Sequence, residues 1–249
     1  MIKTREVLSY LEGLYPPDTA CDFDNVGLLA GNADGEVTGA VVALDCDITA
    51  LEFAKKNGAN LIITHHPVIF EPLKSVTESD MVYKLIKAGI SVISMHTNLD
   101  VGKGGVNDTL CEVLGLTDVK PVTASDGYLL KYGNTDKHTA DELALHIKKS
   151  LGGAVKYVSG KSPINTVLVC SGSGGGYIDE AVLRGFDALI TADVKQNHFI
   201  AAINSGISLF DGGHFNTENV IVKPLCDKLQ KQFPDTPFTA YSPESIKTV

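Results

Sequence analysis

Histidine and carboxylate side chains lie directly after three apolar, β-branched runs that predict buried strands. The runs are residues 61–64, 90–95 and 207–210. In open α/β sheets, ligands bind outside the carboxyl ends of the strands, so side chains at these positions are candidates for one site. Their chemistry is that of metal ligands. The candidates are His65, His66, His96, Asp100, His214 and Glu218.

The adjacent pair His65 and His66 favours two metal ions over one. Successive side chains on extended backbone point to opposite faces, and Pro67 favours extended geometry at His66. Two such imidazoles chelate one ion poorly, but each suits one of two neighbouring ions, with Asp100 or Glu218 as a bridge. Dinuclear sites of this kind activate water. Mixed imidazole and carboxylate ligands favour Zn, Mn, Fe, Co or Ni over Ca.

Several of these features also have structural explanations. An acid in the first turn of a helix is favoured by the helix dipole, which would explain Glu218 without a metal. The position of His96 at the end of a strand suits three roles: transfer of a proton in catalysis, orientation of a metal ligand, or a structural hydrogen bond. The glycine-rich run 171–176 suits either a phosphate or a tight turn, and it lacks the spacing of a P-loop. His198 faces either a cavity or the solvent, and a solvated loop is predicted around Asp24.

The elements that must position these residues alternate between strand and helix, which predicts an α/β fold. An amphipathic helix is predicted at the N-terminus, and Thr139 with Glu142 forms a capping box for another. Predicted strands are residues 40–44, 61–64, 90–95, 128–132, 155–158, 167–170, 188–191 and 207–210. Further helices are predicted at residues 49–57, 81–88, 178–184 and 197–204.

A faint internal repeat predicts two related halves. Residues 58–64 resemble residues 185–191, and residues 89–93 resemble residues 206–210. Each of the four stretches begins with a glycine, which fits the end of a helix that enters a buried strand. Two pseudo-symmetric α/β halves, with metal ligands at the carboxyl ends of strands, are therefore expected.

The predicted boundaries place the first half at residues 1–125 and the second at residues 126–210. Residues 211–249 carry the His214 and Glu218 motif and a C-terminal helix, and they are expected to return to the first half. The tail from Pro234 onward contains proline and serine and is predicted to be irregular.

Composition excludes several classes of protein. The chain has 249 residues, of which 44% are hydrophobic and 20% charged, as in folded globular proteins. A net charge of −9 argues against nucleic-acid binding. No apolar run approaches the roughly 18 residues of a membrane span. The five cysteines lack paired spacing and no secretory signal is recognised, so a cytoplasmic protein without membrane contact is expected.

Four motifs resemble, in order, those of the Nif-three-like family, whose bacterial members are commonly named GTP cyclohydrolase 1 type 2 homologues. They are DNVGL at 24–28, ITHHPVIF at 63–70, HTNLD at 96–100 with GGVND at 104–108, and GHFNTE at 213–218. The resemblance covers nearly the whole chain. The length of the chain, 249 residues, resembles that of the short members of this family, which lack an inserted domain.

This resemblance implies a dinuclear site with two divalent transition-metal ions per chain and a ring-shaped homohexamer whose metal sites face the cavity. The implied ligands are His65, His66, Asp100, His214 and Glu218. His96, whose role the residues alone leave open, is the candidate catalytic residue. The implied activity is metal-dependent hydrolysis of a nucleotide-like or phosphate-containing small molecule. The alternative is a non-enzymatic ring protein that buffers metal or docks a partner.

The chain departs from the family pattern at two positions. The family often has tryptophan before the first motif, where this chain has Phe23 and no tryptophan at all, which predicts a change in packing. The family often has Thr-Gly-Glu where this chain has Thr191, Ala192 and Asp193. The shorter carboxylate of Asp193 is expected to lie near the cavity and to alter the fit of the substrate.

Overall fold

Parallel strands and the helices that connect them dominate the computed structural model of the protein, which describes residues 1–243. These residues form two compact units. One contains residues 1–103 and 221–243, and the other contains residues 104–220. Each unit has its own sheet, and helices connect most of the parallel strands in both. The α/β fold class that the sequence predicts is therefore confirmed.

A five-stranded sheet forms the first unit. The sheet order is β1 (Gly27–Ala30), β4 (Ser91–Ser94), β3 (Leu61–Thr64), β2 (Ala40–Ala43) and β11 (Phe238–Tyr241). Strands β2, β3, β4 and β11 run parallel, and β1 runs antiparallel to β4. The helices are α1 (Thr4–Leu14), α2 (Ile48–Lys56), α3 (Met81–Lys87), α4 (Thr97–Val101) and α10 (Val222–Gln232).

A six-stranded mixed sheet forms the second unit. The sheet order is β5 (Thr117–Thr123), β6 (Leu129–Asn134), β8 (Thr166–Val169), β9 (Ala188–Thr191), β10 (Ser208–Asp211) and β7 (Lys156–Val158). Strands β8, β9 and β10 run parallel, and the pairs β5 with β6, β6 with β8, and β10 with β7 are antiparallel. The helices are α5 (Val106–Val113), α6 (Ala140–Leu151), α7 (Ile178–Leu183), α8 (Gln196–Ser205) and α9 (His214–Glu218).

The internal repeat falls on equivalent strands of the two sheets. The segments 58–64 and 185–191 contain β3 and β9, each of which has a parallel strand on both sides. All residues of both strands are buried, because a parallel strand covered on both faces needs apolar side chains at successive positions. The glycines that precede these strands have positive φ angles, the conformation that ends a helix before a strand.

The prediction of an irregular C-terminal tail is wrong for residues 238–241. These residues form β11, which pairs in parallel with β2 from Phe238 opposite Ala40 to Tyr241 opposite Ala43. The partner strand lies at the other end of the chain, so local composition carries no sign of this pairing. Residues 244–249 of the tail lie outside the described residues.

The division between the units lies earlier than the predicted boundary at residue 125. Strand β5 pairs antiparallel with β6, so the segment before residue 125 belongs to the second sheet. His214 and Glu218 also lie in the second unit, and the chain returns to the first unit from Ile221 onward instead of from residue 211.

Within residues 1–243, no helix is both long enough and apolar enough to cross a membrane.

Close packing at the end of β1 predicts a strong effect of one glycine substitution. Gly31 has a φ of 105°, and a Cβ atom there would overlap both the side chain and the Cα atom of Ser91. Gly31→Ala should therefore lower the free energy of unfolding by more than about 1 kcal/mol, measured by urea denaturation.

The control is Gly13→Ala on the exposed side of α1, where nothing lies within 4 Å of the added methyl group. Alanine in a helix should raise stability by roughly 0.5–1 kcal/mol relative to glycine. Equal effects of the two substitutions would contradict the close approach of Gly31 and Ser91 as a packing constraint.

Candidate functional site

Histidines of the first unit follow the carboxyl ends of two neighbouring strands. His65 and His66 come directly after β3, and His96 lies two residues beyond β4. The two strands are parallel, with Thr64 opposite Ser94, so the three histidines emerge at the same edge of the sheet. The short helix α4, which begins directly after His96, supplies a carboxylate at the same edge.

These three histidines form one cluster. The ring centroid of His65 lies 5.0 Å from that of His66 and 5.1 Å from that of His96. One ring nitrogen from each residue lies within 4.8 Å of the others, which makes the group suited to hold a metal ion. Asp100 of α4 joins the cluster, because its Oδ1 lies 3.5 Å from Nε2 of His65. His65 is 1% exposed, whereas the rings of His66 and His96 are partly accessible.

In all three rings, the Nδ1 atom is bonded to an oxygen acceptor. Carbonyl and carboxylate oxygens accept hydrogen bonds, so Nδ1 carries the proton and the neutral ring offers Nε2 to a ligand. Metal-ligating histidines are oriented in this way in proteins. The bonds run from His65 to the Met95 carbonyl (3.0 Å), from His66 to Asp45 Oδ1 (2.7 Å) and from His96 to Asp24 Oδ1 (2.8 Å).

The solvated loop predicted around Asp24 is wrong for this residue. Its side chain is fully buried and accepts hydrogen bonds from His96 Nδ1 and from the backbone N–H (2.9 Å) and hydroxyl (2.5 Å) of Thr97. Burial raises the pKa of Asp24, but these hydrogen bonds together outweigh burial and hold the pKa at about 2. Asp24 is therefore a fixed negative charge that orients His96.

His214 and Glu218 face each other across one turn of α9 in the second unit. Nε2 of His214 lies 2.9 Å from Oε2 of Glu218, and its Nδ1 donates to Oδ2 of Asp193 at 2.7 Å. The hydrogen bond to Glu218 is the main cause that raises the pKa of His214 to about 9; Asp193 acts in the same direction and burial opposes it. Without a metal, His214 therefore carries both protons at neutral pH, and metal binding must displace one of them.

The helix-dipole explanation of Glu218 is wrong. Glu218 is the last residue of α9, not a residue of a first helical turn. The dipole disfavours an acid at that end of a helix. Glu218 is also only 4% exposed, so its buried carboxylate depends on its polar neighbours.

Asp193 adopts an unusual backbone conformation to reach His214. Its φ is 50°, in the left-handed region that aspartate tolerates better than most residues. The carboxylate that departs from the family pattern is therefore the one that holds His214.

The glycine-rich loop 171–176 packs against Glu218. Gly172 has a φ of 58°, and a Cβ atom there would overlap Oε1 of Glu218. Its N–H donates to the Thr217 hydroxyl at 3.1 Å, and its carbonyl accepts from the Thr191 hydroxyl at 3.0 Å. The missing side chain thus lets the loop touch the carboxylate.

Other backbone amides of this loop also donate hydrogen bonds to side chains of the protein. The N–H of Ser171 donates to Asn107 Oδ1, and the N–H of Gly174 donates to the Thr191 hydroxyl, both at 2.8 Å. These bonds favour the tight-turn interpretation of the loop over phosphate binding. His198 packs against the loop: its buried Nδ1 has no hydrogen-bond partner within residues 1–243 and lies 2.5 Å from where a Cβ of Gly175 would stand.

Sequence analysis missed the acceptors that hold the histidines. Asp45 lies two residues beyond β2, and Asp193 lies two residues beyond β9. The strand-end rule that selected the histidines applies equally to these carboxylates, so the signal was present in the sequence. The acceptor of His65 is the backbone carbonyl of Met95, and a backbone acceptor leaves no pattern in the sequence.

The donor set of each unit fits a divalent transition metal. Imidazole nitrogen and carboxylate oxygen together suit Zn, Mn, Fe, Co and Ni. The oxygen acceptors at Nδ1 complete the surroundings that such ligands have in metalloproteins.

A sequence model of the Duf34/NIF3 (NGG1p interacting factor 3) family matches residues 2–244. The chain belongs to the Duf34/NIF3 family.

Relatives of the protein agree with this assignment, and the family resemblance of the four motifs is confirmed. A GTP cyclohydrolase 1 type 2 homolog of Clostridium perfringens is 33% identical over 93% of this chain and 92% of its own length. A GTP cyclohydrolase 1 type 2 homolog of Lactococcus lactis is 32% identical over 92% of this chain and 92% of its own length. The crystal structure of a Staphylococcus aureus hypothetical protein superposes with a TM-score of 0.91, at 28% identity and 99% coverage of both chains.

Glu218→Gln should lower the pKa of His214 in the metal-free protein, because it removes the carboxylate that raises it most. With the raised pKa, protonation of His214 stabilises the fold fully below about pH 6.5, and this stabilisation is lost as the pH rises through about 9. NMR titration of the imidazole signals measures the change. Glu112→Gln, at an exposed residue of α5, removes the same charge as a control. An unchanged His214 titration in Glu218→Gln would contradict the assignment.

Gly172→Ala should shift the same titration in the same direction without changing any charge, because the added methyl group displaces the Glu218 carboxylate. Gly176→Ala is the matched control in the same loop, with nothing within 4 Å of its methyl group. Circular dichroism checks that both variants fold. If His214 still titrates near pH 9 in folded Gly172→Ala, the carboxylate does not depend on the glycine.

Proposed function

We propose that this Duf34/NIF3 protein is a metal-dependent hydrolase that binds two divalent transition-metal ions per chain. One observation carries the proposal: His65, His66, His96 and His214 all have Nδ1 bonded to an oxygen acceptor. Because Nδ1 is engaged in each ring, Nε2 is the atom that would bind metal in His65, His66 and His214 and take up a proton in His96. His138 has the same bond, to the Ile164 carbonyl, but His65, His66 and His96 combine it with ring nitrogens that lie within 4.8 Å of one another.

The proposed ligands are those implied by the family motifs. His65, His66 and Asp100 come from the first unit, and His214 and Glu218 come from the second. Two carboxylates among five ligands offset part of the charge of two divalent ions, and the mixed donors favour Zn, Mn, Fe, Co or Ni. In this proposal the five residues act as one dinuclear centre.

When bound, the two ions would activate water for attack and stabilise the negative charge that develops on the substrate. His96 is the proposed catalytic residue. Its Nδ1–H is held by the ionised Asp24, so its Nε2 is set to take a proton from the attacking water and to return it to the leaving group. The partial exposure of His96 supports access for a substrate.

The proposed substrate is a nucleotide-like or phosphate-containing small molecule. Support comes from the relatives, which are named GTP cyclohydrolase 1 type 2 homologs. The test is a turnover screen of metal-loaded protein against GTP, other nucleotides and generic phosphoesters, with His96→Ala as the inactive reference. Metal-loaded protein that turns over none of them would contradict the hydrolase and favour the alternative, a metal-binding protein that buffers metal or docks a partner.

Metal content tests the ligand set directly. Glu218→Gln should fold normally but lose most of the bound metal, because an amide neither bridges two ions nor offsets their charge. His65→Ala and Asp100→Ala should reproduce the loss, since ligands of one centre act together. Elemental analysis after metal loading measures the content, with Glu112→Gln as the control. Full occupancy in Glu218→Gln would contradict its role as a bridging ligand.

The protein is also proposed to form a homohexamer in the cytoplasm. The hexamer follows from the family resemblance, and closed symmetry is the norm for soluble oligomers. All five cysteines are thiols, which suits a reducing compartment. Light scattering should give six times the chain mass of 26.5 kDa, and a stable mass of one chain at micromolar concentration would contradict the hexamer.

A further inference from the structure

Two phenyl rings are exposed to solvent beside the histidine cluster of the first unit. Phe23 is 66% exposed and Phe70 is 44% exposed. The change in packing predicted at Phe23 therefore concerns a ring at the surface, outside the core. The two ring centroids lie 6.2 Å apart with their planes inclined by 51°, and the Phe70 ring meets the His96 ring nearly at right angles with centroids 6.1 Å apart. Paired exposed aromatic rings next to polar, functional groups are typical of ligand sites.

Hydrogen bonds hold the chain segments that carry these rings close to His96. The Asn25 side chain donates to the Ile69 carbonyl at 2.6 Å, and this bond joins the segment of Phe23 to the segment of Phe70. Asp24, which lies between Phe23 and Asn25, accepts the hydrogen bond from His96. The chain segments that carry the two rings are therefore held beside His96 by hydrogen bonds that do not involve a ligand.

We propose that Phe23 and Phe70 form a subsite that stacks a planar heteroaromatic ring and places it beside His96. The inclined planes leave an open apolar face, and a flat π system is the chemistry that such faces bind. Stacking on aromatic side chains accepts any nucleobase-like ring, because each has a π face. The stacking of the ring is argued from the two phenyl groups alone. The remainder of the ligand, a sugar phosphate on which the metal centre would act, rests on the proposed function.

The absence of tryptophan from the sequence gives a direct test. Phe23→Trp places a single tryptophan in the subsite and keeps an aromatic face there. The probes are GMP and ribose 5-phosphate, which share the sugar phosphate and differ in the base. GMP should quench the fluorescence saturably after inner-filter correction, and ribose 5-phosphate should not. Adding Phe70→Ala should raise the Kd for GMP about tenfold or more.

Ile86→Ala is the matched control, since it removes another exposed apolar side chain, 59% exposed, from the same unit. It should leave the Kd for GMP unchanged. Equal responses to GMP and ribose 5-phosphate, no response to GMP, or an unchanged Kd in Phe70→Ala would each overturn the subsite. A Phe70→Ala protein that changes its mass in light scattering but not its Kd would assign the rings to a contact between copies of the chain, which also overturns it.

Metal analysis of the same samples separates this inference from the proposed function. Quenching by GMP in a protein that retains no metal after loading would support the subsite and contradict the hydrolase. Metal-loaded protein without selective quenching by GMP would overturn the subsite and leave the proposed metal ligands standing.

Discussion

A hydrogen bond from Nδ1 to an oxygen acceptor is the interaction on which every candidate histidine depends. An imidazole ring can flip and exchange its two nitrogens, and its proton can sit on either. The acceptor removes both freedoms at once, because only the protonated nitrogen can face it. Met95, Asp45, Asp24 and Asp193 supply these acceptors. The geometry of a metal or proton-transfer site is then set before any ligand arrives.

The nature of the acceptor follows the exposure of each ring. His65 is nearly fully buried and donates to a neutral carbonyl, whereas the partly exposed His66 donates to a carboxylate. A second carboxylate beside His65 would add a buried charge next to Asp100, and a buried charge is costly unless it is paired. The exposed carboxylate of Asp45 costs little and increases the basicity of the imidazole, and the buried carboxylate of Asp24 is stabilised by hydrogen bonds from Thr97. Burial and charge are therefore balanced residue by residue.

Sequence patterns predicted the parts of the structure that depend on local periodicity and on strand ends. The buried runs gave β3, β4 and β10, and the residues that follow these strands are the histidines described above. The role of Asp24 was missed, because a short acidic turn looks solvated until a histidine and a threonine distant in sequence bond to it. Strand β11 was missed for the same reason, since it pairs with β2, which is about 200 residues away in sequence. Long-range partners leave no mark on local composition.

The glycine-rich loop shows why spacing alone does not decide between two physical roles of glycine. A glycine run between a strand and a helix permits close approach of the backbone, whether to a phosphate or to another part of the protein. What separates these roles is the group that faces the Cα atom. At Gly172 that group is the carboxylate of Glu218, and at Gly175 it is the ring of His198. Because the N–H of Gly172 is also bonded to the hydroxyl of Thr217, the residue before Glu218, the loop backbone packs closely against a buried acid. The glycines therefore act through packing against the site, and this role becomes visible only when the strand ends are brought together.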